Sequence, residues 1–181
     1  MKKWLQGLGS AAIAAGLFFS ASATALAHTM PEEEATLIVL VSPYGHAEFI
    51  PNETTLGEVE AVEGHDVKKK DFTGDGRRIV TYEYVTATYW SIVGAADDRD
   101  ANELPMTGYD LRSNGIHTPS RFSVGEPYAA VVEKYGEADY KMAEKDGLVT
   151  YGYKLDGRPI HLTFDVNGEG RIRAIHCRRG A

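Results

Sequence analysis

The sequence predicts an α+β fold in which two short helices pack on antiparallel β-sheet. Residues 79–84 (Ile-Val-Thr-Tyr-Glu-Tyr) return as residues 148–153 (Leu-Val-Thr-Tyr-Gly-Tyr), and residues 56–58 return as 124–126, both at an offset of about 70 residues. Self-similarity at a fixed period is typical of a duplicated unit. We therefore expect two repeats of a helix on an antiparallel β-meander, with about seven strands and two helices.

The first 27 residues predict an export signal. Lys2 and Lys3 form a positive end, residues 8–19 are mostly apolar, and Ala25-Leu26-Ala27 has the small-x-small pattern of a cleavage site. The apolar stretch is shorter than the roughly 20 residues of a membrane anchor. The product is therefore expected to be periplasmic or secreted. The predicted organisation is a signal peptide at 1–27, a polar leader at 28–35, repeat 1 at 36–104 and repeat 2 at 105–178.

Charge and cysteine content narrow the classes of partner. The 181 residues include 19 Lys+Arg and 26 Asp+Glu, for a formal net charge of −7. An acidic surface repels phosphate backbones and anionic lipids, which argues against nucleic acid or membrane binding. Cys177 is the only cysteine, so no intrachain disulfide is possible and the predicted cleavage site has no cysteine to carry a lipid. The expected partner is another envelope or secreted protein.

Local signals place the elements of the first repeat. Thr54 or Thr55 is suited to cap a helix with Glu58 in its first turn. Gly64 is expected to end this helix. Apolar or alternating segments predict the strands. These strands are 37–41, 78–86 and 87–95, followed by a polar connection at 96–102.

The second repeat has clearer turn signals. Ser123 is expected to cap a helix that carries Pro127 in its first turn and ends at Gly136. Asp156-Gly157 and Asn167-Gly168 are strong hairpin signals between strands. The predicted strands of this repeat are 104–112, 148–155, 159–166 and 171–177.

A recognisable run covers residues 118–177. It contains Thr-Pro, then Ser-Val-Gly-Glu at 123–126, a helix ending in Lys-Tyr-Gly at 134–136, and a Tyr-x-Tyr strand. This run resembles the repeat of the β-lactamase-inhibitor-protein-like (BLIP-like) superfamily, which includes the SmpA/OmlA outer-membrane assembly lipoproteins. Residues 36–104 resemble it more loosely. The resemblance implies a non-enzymatic, protein-binding module, although this chain lacks the inhibitors' disulfides and the lipoproteins' lipidated cysteine.

Catalytic and metal-binding patterns are weak. No Gly-x-Ser-x-Gly occurs, and His176 and Cys177 are adjacent, so on a strand they point to opposite faces. No histidine or cysteine has zinc-ligand spacing. His161 and His176 approach each other only if the final hairpin has a four-residue loop, and residues 165–169 fit a hairpin better than a calcium loop. We predict neither an enzyme nor a cofactor.

Tyrosine-rich strands offer two interpretations. Tyr82 and Tyr84 share one face of a predicted strand, as do Tyr151 and Tyr153. We favour burial of these faces under the helices, because the opposite face of the second strand carries Thr, Gly and Lys. The alternative is an aromatic stripe on the open sheet, where tyrosine is well suited to binding.

If the tyrosines are buried, the last hairpin supplies a polar open face. With a three-residue loop, Asp165 would lie opposite Arg171, a favourable cross-strand pair. The residues of this face are His161, Thr163, Asp165, Arg171 and Arg173.

The sequence therefore predicts an exported, non-catalytic module that binds a protein through its open sheet and the polar loop at 97–102. The alternative is a binder of small molecules or cell-wall fragments, with an enzyme as a third possibility. That binder would use a groove between the repeats lined by Tyr82, Tyr84, Tyr89 and Trp90.

Overall fold

In the described part of the chain, α-helices at 56–63 and 128–135 accompany antiparallel sheet, as the sequence predicts for the α+β class. The computed structural model describes residues 30, 34, 38–42, 45–143, 146–154 and 160–179. The predicted signal peptide lies outside these residues, as does the Asp156-Gly157 turn. Thr55 caps the first helix, α1 (Leu56–Glu63), and forms a capping box with Glu58, worth about 1 kcal/mol.

The second helix begins differently from the prediction. Helix α2 spans Tyr128–Tyr135 and starts at Pro127, which makes no side-chain cap. Ser123 is therefore not the cap; it pairs instead in an isolated bridge with His117. The fixed backbone angle of proline suits a helix start. The backbone N–H of Tyr128 donates to the carbonyl of Gly170 at 2.9 Å in place of a polar cap. Gly136 ends the helix, as predicted.

Eleven strands are described, rather than about seven, together with a short 3₁₀ helix at Ala101–Glu103. They are β1 (Ile38–Ser42), β2 (Gly45–Phe49), β3 (Lys68–Gly74), β4 (Arg77–Glu83), β5 (Ala87–Gly94), β6 (Gly108–Leu111), β7 (Ile116–His117), β8 (Tyr140–Ala143), β9 (Val149–Lys154), β10 (Ile160–Val166) and β11 (Ile172–Arg179). The four additional strands are β2, β3, β7 and β8. Three of them have two to five residues, and β3 is mostly charged, so none shows a clear apolar alternation.

Eight strands form one antiparallel sheet in the order β3-β4-β5-β6-β11-β10-β9-β8. Helix α1 is followed by β3 to β6 along the chain, and α2 is followed by β8 to β11. Strands β6 and β11 therefore meet at the centre, and each half of the sheet runs outward from that seam in the reverse order of its sequence. Strands β2, β1 and β7 form a separate three-stranded sheet.

The core lies on one face of the eight-stranded sheet. In the first half, the ring of Tyr89 contacts Phe49 of β2 and Tyr84, with centroids 5.7 and 6.0 Å apart. In the second half, Tyr128 of α2 stacks on Tyr151 of β9 at 4.2 Å. The helices and the small sheet thus share one face, and we name the opposite face the open face.

The segment before the first strand is less polar in its packing than predicted. Met30 is 3% exposed and Glu34 is 2% exposed, although both were assigned to a polar leader. The carboxylate of Glu34 accepts from the backbone N–H of Ser120, with an Oε2–N distance of 3.0 Å. A buried carboxylate requires such a donor, and the sequence around Glu34 gave no sign of it.

Candidate binding surface

The predicted aromatic residues divide between the two faces. Tyr82 and Tyr89 are fully buried and Tyr84 is 7% exposed, so these three belong to the core rather than to a surface. The favoured interpretation of the tyrosine strands is confirmed for Tyr82, Tyr84 and Tyr153. Trp90 follows Tyr89 on β5 and therefore lies on the open face, half-buried. The four residues proposed to line a groove consequently do not line one surface.

A continuous line of paired residues crosses the open face from edge to edge, and we name it the central row. Its members are neighbours in the strand register, one from each strand. They are Lys68, Glu83, Thr88, Asp110, His176, Thr163, Gly152 and Tyr140.

His176 lies at the middle of the central row, between two carboxylates. Its Nδ1 is 2.5 Å from Oδ1 of Asp110, and its Nε2 is 2.9 Å from Oδ2 of Asp165. A neutral imidazole has one N–H, so donation to both carboxylates requires the doubly protonated ring. Thr150 donates to the other oxygen of Asp165 at 2.7 Å. Arg178 donates to Asp110 at 3.3 Å.

The electrostatic environment of His176 favours the protonated, positively charged imidazole. Burial alone lowers the pKa of His176, but the hydrogen bonds and charges of Asp110 and Asp165 outweigh burial and raise it above its ordinary value. Burial likewise acts to raise the pKa of Asp110, and His176 with Arg178 lowers it overall. The group is therefore an ion network that links β6, β10 and β11 across the seam.

Two glycines of the open face lie beneath aromatic rings. A Cβ placed on Gly108 would lie 2.5 Å from the ring of Trp90. A Cβ on Gly152 would overlap the ring of Tyr140 in the same way. Arg178 adds its guanidinium 6.0 Å from the centre of the Trp90 ring. Absence of a side chain at these two positions lets the rings lie against the sheet.

Three apolar residues are exposed side by side on the first half of the open face, and we name them the apolar stripe. Phe72 on β3 pairs with Ile79 on β4, which pairs with Ile92 on β5. Their exposed fractions are 64%, 36% and 38%. Large side chains at neighbouring register positions form a contiguous patch, which is more informative than scattered exposed residues.

Positive charge borders the apolar stripe along β3. Lys68 and Lys70 share the face of Phe72, since alternate residues of a strand point the same way. Both ammonium groups pair with the single carboxylate of Glu83, at 4.0 Å from Lys68 and at closer range from Lys70. The Lys70 hydrogen bond lowers the pKa of Glu83. One positive charge is left in excess at this edge of an acidic protein.

The residues predicted on the last hairpin meet different environments. His161 and Asp165 lie on the open face, with His161 next to Tyr140 (Nδ1–Oη 3.2 Å). Asp165 lies opposite Ala174 rather than Arg171, because a β-bulge follows it and the turn spans residues 167–171. Arg171 instead donates to the carbonyl of Gly125 at 3.1 Å.

The remaining predictions for this hairpin concern Arg173 and the two histidines. Arg173 is exposed at the bulge, outside the central row. His161 faces Arg178 and His176 faces Thr163, so the histidines are not a cross-strand pair. Sequence reasoning missed Asp110 and Arg178, and it did not assign His176 to a carboxylate network.

The polar loop at 97–102 belongs to the helix side of the first half. Arg78 donates to the carbonyls of Asp97 and Arg99 at 3.0 and 2.8 Å. Asn102 accepts from Tyr82 and approaches α1 at Gly57, where a Cβ would lie 2.8 Å from its carbonyl oxygen. The loop is therefore packed against α1, apart from the open face.

The described part of the chain gives little support for a metal site, an ionised thiol or a membrane-spanning helix. No group of three or more His, Cys, Asp or Glu residues there could hold a metal ion. Burial raises the pKa of Cys177 to about 12, which favours the protonated thiol near neutral pH. Among the same residues, no helix has both the length and the apolar character needed to cross a membrane.

Comparisons with known proteins give one distant similarity. No family model matches the chain, and no curated protein matches it. The chain is similar to the crystal structure of a DUF4309 family protein (YjgB) from Bacillus subtilis subsp. subtilis str. 168. The two share 10% identity and a TM-score of 0.40, over 72% of this chain and 82% of that chain. A similarity at this level carries no argument about function.

Proposed function

We propose that the chain is an exported, non-catalytic module that binds another protein of the envelope or medium through the first half of its open face. The apolar stripe is the observation that carries this proposal. Phe72, Ile79 and Ile92 are exposed in register, beside the half-buried Trp90. Contiguous exposed apolar patches mark interaction sites, and aromatic residues are enriched at protein interfaces.

The charges around the stripe favour a protein partner over a lipid or a nucleic acid. Lys68, Lys70 and Arg178 lie on the same face, within a chain of net charge −7. An apolar centre bordered by charged groups is the usual composition of a protein interface. The overall negative charge opposes binding to phosphate-rich surfaces.

A non-catalytic role is supported by the chemistry of the ion network. Both ring nitrogens of His176 are occupied by carboxylates, so neither is available to take a proton from a substrate. Thr150, the hydroxyl that bonds Asp165, donates to that carboxylate and is buried. The network therefore resembles a structural ion cluster more than a nucleophile with its base.

We further propose that the two halves of the chain are duplicated units. Each half consists of a helix followed by four strands, and the halves meet at β6 and β11. This arrangement favours a boundary after residue 111, rather than at 104. Superposition of the two halves tests this proposal. A like strand order and a like angle between helix and sheet would support duplication, and unlike ones would refute it. Membership of the BLIP-like superfamily stays an interpretation of the sequence motifs.

The proposed function is tested by replacing the apolar stripe. A variant with Phe72→Ser, Ile79→Thr and Ile92→Thr removes the patch at exposed positions. The control is Met142→Thr with Val85→Thr, at residues that are 52% and 97% exposed elsewhere on the surface. Immobilised protein is challenged with envelope and culture fractions, and saturable capture is quantified. We expect the stripe variant to lose capture and the control to retain it.

Equal capture by wild type and the stripe variant would refute the proposed surface. No saturable capture by the wild type, in any fraction, would refute the function itself. The residues of the alternative small-molecule groove do not share one surface, because Tyr82, Tyr84 and Tyr89 are buried and Trp90 lies on the opposite face.

A further inference from the structure

We propose that the outer edge of β3 accepts an extended acidic segment of the partner protein as an additional antiparallel strand. This inference rests on the proposed function and names the chemistry of the partner. Strand β3 has seven residues and pairs only with β4 among the described strands. Its other edge presents backbone N–H and C=O groups in a row, which is the template for strand addition.

The opposite edge of the sheet is less suited to this role. Strand β8 has four residues, and the backbone N–H of Lys154 on its neighbour β9 is bonded to Asp139 just before β8. Main-chain hydrogen bonds supply much of the affinity in strand addition, so a longer edge binds more strongly. Strand β3 is therefore the better acceptor.

The side chains of β3 on the helix side are already engaged within the chain. Lys69 donates to Glu60 of α1 at 2.7 Å and lies 4.6 Å from the centre of the Tyr82 ring. Asp71 accepts from Arg78 at 2.7 Å. These contacts fix the orientation of the strand and hold its helix-side charges in internal pairs. Recognition of a partner segment is left to the open-face side chains.

Those open-face side chains are Lys68, Lys70 and Phe72. The two lysines share the single carboxylate of Glu83, and the Lys68 side chain is 72% exposed. Phe72 is 64% exposed and continues directly into the apolar stripe. An incoming strand would therefore gain from acidic side chains opposite the lysines and an apolar side chain opposite Phe72.

The same lysines disfavour a second copy of this chain as the occupant. A two-fold pairing that keeps both open faces on one side of the sheet centres on a residue of β3. The pairing centred on Asp71 spans the whole strand and the pairing centred on Lys70 spans residues 68–72, and each puts like charges directly opposite at the centre. A pairing centred on Phe72 spans residues 70–74 and avoids this repulsion, so the oligomeric state is measured together with peptide binding. Lysines on an edge strand are a known defence against self-association. Here they also select for an acidic partner.

The register gives the partner segment a readable pattern. In an antiparallel strand, the first relevant residue lies opposite Phe72, the third opposite Lys70 and the fifth opposite Lys68. From amino to carboxyl end, the segment is therefore apolar, any residue, acidic, any residue, acidic. The apolar residue would extend the apolar stripe to a fourth strand.

A synthetic peptide with this pattern provides the test. The probe is acetyl-Thr-Ile-Thr-Glu-Thr-Glu-Thr-amide, and the control peptide has the same residues in reverse order. Both are titrated to millimolar concentration into the ¹⁵N-labelled protein. We expect the probe to shift the amide resonances of residues 68–74 with an affinity at least tenfold above that of the reversed peptide, and to weaken with added salt.

Variants of the protein make the assignment specific. Lys68→Glu with Lys70→Glu is expected to reduce probe affinity at least tenfold. Lys141→Glu, an exposed lysine of β8, is the matched control and should leave it unchanged. No shift with millimolar probe, or equal binding of the reversed peptide, would overturn the proposal. So would a wild-type dimer with residues 68–74 at its interface, since a second copy would then occupy the edge.

Failure of this inference is distinguishable from failure of the proposed function. If the stripe variant loses capture of the partner but the Lys68→Glu, Lys70→Glu variant keeps it, the open face binds the partner and no strand is added at β3. If neither variant changes capture, the proposed surface itself is wrong.

Discussion

The two halves of the eight-stranded sheet share an order of elements but differ on the open face. The half from β3 to β6 exposes Phe72, Ile79 and Ile92, whereas the half from β8 to β11 directs Asp165 and His176 into an ion network. On the helix side both halves bury tyrosine rings. The difference shows that one scaffold can keep its core pattern while its open face is exposed and apolar in one half and ion-paired in the other.

The largest effect on the free energy of unfolding is expected at Asp165, a member of the ion network that lies in the second half. Asp165→Ala removes a buried carboxylate that accepts hydrogen bonds from both His176 and Thr150. We expect a loss of about 3 kcal/mol in the free energy of unfolding, measured by urea denaturation. Asp98→Ala, at an exposed loop carboxylate, is the control and should change little. A loss below about 0.5 kcal/mol would mean that Asp165 and its ion pair contribute little to the stability of the fold.

A smaller effect on the free energy of unfolding is expected at Gly108 of β6, the strand of the first half that borders the seam. An added Cβ would lie 2.5 Å from the Trp90 ring and 2.7 Å from the backbone carbonyl of Cys177, and the carbonyl cannot easily move. Gly108→Ala should therefore destabilise by about 2 kcal/mol. Gly94→Ala has open space around its Cβ and serves as the control. Equal midpoints for the two variants would contradict the close packing of Trp90 on β6.

The pH dependence of stability should distinguish the network from the apolar half. The pKa of His176 is raised in the folded state, so its contribution is fully present below the ordinary value of about 6.5 and is lost as pH rises through the folded value. The free energy of unfolding should therefore decline on the alkaline side of neutrality. His176→Gln should flatten this decline. The groups that face the ring are Asp110, Asp165 and, through Asp110, Arg178.

Asp110 contributes a pH dependence of stability that is opposite in sign to that of His176. Its pKa is lowered in the folded state, so its contribution is present above the ordinary value and is lost as pH falls through the folded value. A wild-type stability that is constant from mildly acidic to alkaline pH would contradict the charged assignment of His176.

The smallest effect on stability is expected from the apolar stripe. Phe72→Ser, Ile79→Thr and Ile92→Thr alter exposed positions, and each should change the free energy of unfolding by less than about 0.5 kcal/mol. Loss of partner capture without loss of stability would sharpen the contrast between the halves. Strong destabilisation would instead show that these side chains belong to the core.

Prediction from sequence succeeded where a local signal decides the structure. The capping residues Thr55 and Glu58 and the terminal Gly64 define α1. The alternation of Tyr82 and Tyr84 placed them on one face, and their burial was the favoured interpretation. Strand β3 was missed because three lysines and an aspartate hide its alternation. Its extended form becomes understandable only with Glu60 and Arg78 as partners from other elements.

The candidate surface was harder to predict because it depends on the pairing of distant strands. Asp110 and His176 are 66 residues apart in sequence, and only the β6–β11 pairing brings them together. The turn at 167–171 is longer than the predicted three residues and a bulge follows Asp165, and together they separate Asp165 from Arg171. The apolar stripe likewise combines single residues from three strands, and no one segment of the sequence displays it.

The seam between β6 and β11 has a consequence for assembly. Three residue pairs join the halves in register there, and Asp110 and His176 form the middle pair. Because the contacts across this junction are between strands and not within one hairpin, two chains that exchanged their carboxyl-terminal halves would rebuild them without forming any new interface. Opening of this junction would expose the edges of β6 and β11, and protonation of the His176 imidazole would favour its closure.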